Sequence, residues 1–70
     1  MNLLERQKDV LRSRILRTEL DIFDCRFWLR YPLTASTEGK KIEQSLNRMI
    51  ELLESELSLL EEELQKLQED

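Results

Sequence analysis

The stretch LNRMIELLESELSLLEEELQKL, residues 46–67, decides the fold. Leu46, Leu53, Leu60 and Leu67 stand seven residues apart, and Ile50, Leu57 and Leu64 fill the gaps in an unbroken 4-3-4-3-4-3 ladder. That spacing keeps one apolar seam on one side of a helix, the pattern of a coiled coil. A helix with such a seam does not stay alone in water, so the chain must supply or find another helix to cover it.

Upstream, residues 2–30 contain no Gly or Pro and are rich in Leu, Arg and Glu, which predicts a first helix over that range. Pro32 ends it by pushing residue 31 out of the helical region. Residues 31–39 then read as a connector, with the turn and cap formers Thr34, Ser36 and Thr37. Gly39 falls either in the first turn of the next helix or just before it. The second helix is expected over residues 40–68. At 1.5 Å per residue each helix is about 45 Å long. Equal lengths and a short link predict an all-α, two-helix antiparallel coiled-coil hairpin, one domain spanning residues 1–70. A starting Met and a complete hairpin are what a whole small gene product would show.

Charge supports pairing within the chain. Residues 1–31 hold seven Lys/Arg and five Asp/Glu, a balance of +2, whereas residues 40–70 hold four and nine, a balance of -5. The obvious rival is a parallel dimer of the second helix. With Ile50, Leu57 and Leu64 at heptad position a and the four leucines at d, Glu56 and Glu63 fall at g and Glu54 and Glu61 at e. Glu56 would then face Glu61 of the mate, and like charges across a seam disfavour that zipper. The first helix of the same chain is the better partner.

A single hairpin does not use all the apolar surface. In the first helix Leu4, Leu11, Ile15, Ile22, Cys25 and Leu29 form one stripe; Leu16, Leu20, Phe23, Phe27 and Tyr31 form a second, rotated by roughly 150°. Lys8, Arg12, Glu19, Arg26 and Arg30 lie between them on one side. In the second helix Ile42, Met49, Leu52 and Leu59 widen the ladder sideways. Burial of apolar area contributes about 25 cal/mol per Å², a strong pressure to associate. Leu16, Leu20, Phe23 and Phe27, with Met49, Leu52 and Leu59, are therefore expected to form a self-association surface that joins two hairpins into a four-helix bundle.

The run Arg26-Phe27-Trp28-Leu29-Arg30-Tyr31 concentrates the residue types that dominate interface hot spots. Arg26, Trp28, Arg30 and Tyr31 are the candidates for binding another protein. Trp28 projects off both stripes, near Leu3 and Val10. The competing expectation puts Phe27 and Leu29 in the core, with Trp28 and Tyr31 covering the bundle end. Arg6, Arg12, Arg14, Arg17, Arg26 and Arg30 could meet phosphates, and the architecture is similar to that of the Rop-type plasmid copy-control proteins, which implies a nucleic-acid-binding dimer as the alternative function. These arginines, however, are spread around the helix and interleaved with Glu5, Asp9, Glu19, Asp21 and Asp24. Pro32-Leu33-Thr34 followed by Gly39-Lys40-Lys41-Ile42 resembles, over about fifteen residues, the opening of Gre-type transcript-cleavage factors. The Pro-to-Gly spacing is longer here and no acidic hairpin tip follows, so no property of that family is carried over.

Cys25 lies on the first stripe and reads as a small buried apolar residue. With one cysteine no disulfide framework forms within a monomer, so a reducing, cytoplasmic setting is expected. No run approaches the roughly 20 apolar residues of a membrane span. The net charge of -4 does not favour nucleic acid. The chain has no histidine, no Gly-rich phosphate loop, no metal-ligand spacing and no nucleophile beside a base, so no enzyme, cofactor or metal site is expected. The carboxylates of the C-terminal run read as a solvated helix end. The function expected is binding: a small, self-associating, non-enzymatic adaptor, inhibitor or regulator that docks on another protein.

Overall fold

The computed structural model describes residues 2–30 and 37–69, nearly all of them in two helices, α1 (Leu3–Leu29) and α2 (Thr37–Glu69). Asn2 starts α1. Its backbone is extended, and its side-chain oxygen accepts the Glu5 N–H at 2.8 Å while its carbonyl accepts the Arg6 N–H at 3.2 Å. A short polar side chain thus replaces the partner that first-turn N–H groups lack. At the other end the Arg30 N–H donates to the Phe27 carbonyl at 3.2 Å, a tightened last turn ahead of Pro32.

The second helix starts at Thr37, not at residue 40. Gly39 is inside its first turn and buried. A glycine costs about 1 kcal/mol against alanine in a helix interior, and Glu38 beside it places negative charge at the positive end of the helix dipole. Of the expected connector, residues 37–39 thus belong to α2; residues 31–36, with Tyr31, Thr34 and Ser36, lie outside the described residues.

The helices pack antiparallel. Leu3, Val10 and Leu11 line one cleft with Glu63 and Leu67 at the open end, and Ile22 and Cys25 pack on Ile50 farther along. The ladder of α2 faces α1 throughout: Ile50 is 8% exposed, and Leu46, Leu53, Leu57, Leu60, Leu64 and Leu67 are half-buried. The matching face of α1 is the expected stripe with two polar additions. Thr18 is buried at 5% exposure, its hydroxyl donating to the Arg14 carbonyl at 2.9 Å. Lys8 is half-buried between Leu4 and Leu11, and its ammonium reaches Glu5 at 3.6 Å. With them the seam of α1 reads Leu4, Lys8, Leu11, Ile15, Thr18, Ile22, Cys25, Leu29, a complete 4-3 register.

Across the seam, Arg26 meets Glu54 at 3.6 Å, both side chains half-exposed. The pairs Lys8–Glu5, Arg12–Asp9, Arg17–Asp21 and Lys66–Glu63 run along single helices. The match of a basic helix to an acidic one thus acts mainly as a general field, since exposed pairs contribute only roughly 0.2–1 kcal/mol each. The hydrophobic seam holds the fold.

The result is a rod, 53 × 17 × 13 Å, with a radius of gyration of 16.2 Å, against about 11 Å for a compact chain of this length. It exposes 5863 Å², whereas a compact monomer of this mass exposes about 4,700 Å². No helix among the described residues is long and apolar enough to cross a membrane. Ile50→Ala is expected to destabilise the hairpin by about 2–4 kcal/mol, a large share of what so small a core supplies. Leu52→Ala, at a side chain 66% exposed, is expected to stay within about 0.5 kcal/mol. Thermal unfolding followed by circular dichroism compares the two.

Candidate interaction surfaces

Once the seam is closed, Leu16, Leu20, Phe23, Phe27, Trp28, Ile42, Met49, Leu52 and Leu59 all remain exposed, together with Leu3 and Val10 near the open end. They do not form one surface. Phe23 lines a cleft with Glu19, Arg26 and Glu54, and so belongs to the flank of the hairpin marked by the Arg26–Glu54 pair. Leu16, one heptad earlier, shares that flank, and Leu20 and Phe27 continue it around the outer side of α1.

Met49, Leu52 and Leu59 lie on the other flank. Glu54 follows a seam leucine by one residue and Glu63 precedes one, so the two glutamates stand on opposite sides of the ladder. Glu63 lies with Leu3, Gln7 and Val10. Met49 is two heptads before Glu63, and Leu52 and Leu59 adjoin that series. The seven residues expected to act together are therefore divided: Leu16, Leu20, Phe23 and Phe27 on one flank, Met49, Leu52 and Leu59 on the other. The reason is geometric. In an antiparallel pair e positions meet e and g positions meet g, so a stripe on the e side of α1 and a stripe on the g side of α2 cannot share a face.

The same geometry separates the partner-binding candidates. Arg26 lies on the flank of Phe23. Trp28 is three heptads after Gln7 and falls on the flank of Met49. Arg30 is exposed just beyond α1, and Tyr31 is outside the described residues. Trp28 is 57% exposed and packs edge-on against Phe27, ring centroids 5.9 Å apart and planes at 82°. It is thus a surface residue braced by a neighbouring ring, in line with its projection off both stripes, and Phe27 is exposed instead of core. Leu29 is half-buried against the core, and Cys25 is a buried thiol in the seam.

The arginines point in several directions. Arg12, Arg17 and Arg26 are engaged by Asp9, Asp21 and Glu54, and the six do not converge on one face. An open cleft between the free ends of the helices has an apolar floor of Leu3, Val10, Leu11 and Leu67 with Arg6 and Glu63 at its edge. Among the described residues no group of three His, Cys, Asp or Glu side chains gathers as a metal site would need.

Because Trp28 is the single tryptophan, its fluorescence reports on one flank alone. A collisional quencher is expected to reach it in the free protein, and Trp28→Ala to leave the unfolding midpoint within the range of surface substitutions, about 0.5 kcal/mol. A quencher-protected tryptophan would show that this flank is covered in the protein by itself.

No protein-family model matches the chain, and neither a curated protein nor a solved structure matches it.

Proposed function

We propose that this chain is a non-enzymatic interaction module, a small helical adaptor, inhibitor or regulator that self-associates and docks on another protein. The observation that carries this reading is the apolar surface left over after the two helices have covered each other. Four large side chains on one flank and at least as many on the other stay 39% exposed or more. At that exposure Leu16, Leu20, Phe23 and Phe27 present on the order of 400 Å² of apolar surface, a size at which a patch on a monomer is commonly a binding site. Two such faces on opposite flanks suit two tasks, one for a second copy and one for a different protein.

Their opposition also bears on the assembly. A four-helix bundle around one shared core needs both helices of each hairpin to turn apolar stripes to the same side. Self-association through one flank, hairpin beside hairpin, fits the placement of these residues better. The second flank, with Trp28, Met49, Leu52 and Leu59, offers an aromatic anchor beside aliphatic groups, the composition of a hot spot for a partner protein. A buried, unpaired thiol at Cys25 suits work in a reducing compartment such as the cytoplasm. No grouping of the arginines favours the nucleic-acid-binding alternative.

Sedimentation at micromolar concentration is expected to find at least a dimer; an 8.5 kDa monomer throughout that range contradicts the self-association. A photo-crosslinker placed at Leu52 in the native host is expected to trap a protein, and recovery of nucleic acid in its place would reverse the reading.

A further inference from the structure

The exposed stripe of α1 carries more information than its hydrophobicity. We propose that it is a self-complementary docking surface, on which α1 of a second copy lies antiparallel about a two-fold axis passing between Leu20 and Phe23. This rests on the self-association proposed above and specifies its face and direction. Leu16, Leu20, Phe23 and Phe27 follow a 4-3-4 spacing, a short coiled-coil seam of its own on the side of α1 away from α2. Antiparallel contact sets Leu20 against Phe23 of the second copy and Leu16 against its Phe27. Every layer then holds one leucine and one phenylalanine, so large and small side chains interdigitate. Parallel contact would stack leucine on leucine and phenylalanine on phenylalanine.

The charges beside the stripe point the same way. Glu19 and Arg26 border it on one side, Arg17 and Asp24 on the other. In the antiparallel arrangement Glu19 faces Arg26 of the second copy and Arg17 faces its Asp24; the two-fold repeats both pairs, and all are attractive. In a parallel arrangement Arg12 would face Arg17 of the second copy, and Glu19 its Asp24, like charges throughout. Within the hairpin Arg26 meets Glu54 and Arg17 meets Asp21, while Glu19 and Asp24 make no ion pair among the described residues. The stems of Arg17 and Arg26 extend the apolar contact. The total area buried is on the order of 1,000 Å², the low end for a specific interface, which fits a micromolar and reversible dimer.

Sedimentation equilibrium of four proteins tests this: the native chain, Asp24→Arg, Arg17→Asp and the double variant Arg17→Asp/Asp24→Arg, with helicity checked by circular dichroism. Both positions changed, Arg17 and Asp24, are on the surface, so the hairpin itself is expected to stay folded. Each single change opposes like charges twice and is expected to weaken the dimer about tenfold; the double variant restores opposite charges and is expected to return to within about threefold of the native chain. If the native chain associates but the single variants match it, or the double variant stays as weak as they are, the antiparallel α1 contact is overturned and self-association stands. Growth past a dimer with concentration overturns it in favour of an open-ended contact between α1 of one copy and α2 of the next. A native chain that stays monomeric overturns both.

Discussion

The seam between α1 and α2 sets every other property of the hairpin. It aligns the ladder of α2 with Leu4 to Leu29 of α1, and so determines which side chains are left outside. It is also thin. Ile22, Cys25 and Ile50 are its buried apolar residues, and Thr18 and Lys8 interrupt its face on α1. Polar residues at seam positions cost stability and restrict register. The Thr18 hydroxyl is satisfied by its own helix, and Lys8 keeps its ammonium beside Glu5 at the seam's edge. A rod this narrow cannot enclose more apolar surface with two helices, and the remainder becomes available for contacts with other molecules.

Much of this was legible in the residues. The seam of α2 could be read position by position because each of its members from Leu46 to Leu67 is aliphatic. The seam of α1 was legible only at its apolar members, since Lys8 and Thr18 look like surface residues until the register is completed around them. The early start of α2 was hidden by Gly39, which reads as a breaker but sits one heptad before Leu46 and is buried. Exposure of Leu16, Leu20, Phe23, Met49, Leu52 and Leu59 followed from the periodicity. Their division between two flanks did not, because periodicity places each stripe only against its own seam. Only the antiparallel pairing, seen in the contact of Arg26 with Glu54, relates the two senses of rotation. Trp28 and Arg26, close in sequence, part for the same reason.

The two flanks differ in kind. The face of α1 is short, alternates leucine with phenylalanine about a centre, and is bordered by charges that complement their own reversed order, as a two-fold contact requires. The face with Met49, Leu52 and Leu59 draws on both helices, includes Trp28 and Ile42, and has no such internal symmetry. The dimer proposed through the first would leave the second uncovered, twice per assembly.

The central claim is that the ladder closes on its own chain and that the stripe of α1 meets a second copy. An isotope-filtered NOE measurement on a mixture of labelled and unlabelled protein separates contacts within a chain from contacts between chains. Methyl contacts of Ile22 with Ile50 and Leu53 are expected to be intrachain, and contacts of Leu16 with Phe27, about 16 Å apart along one helix, interchain. Interchain contacts between the ladder residues Ile50 and Leu53 of two copies would contradict the claim and show a zipper in place of a hairpin.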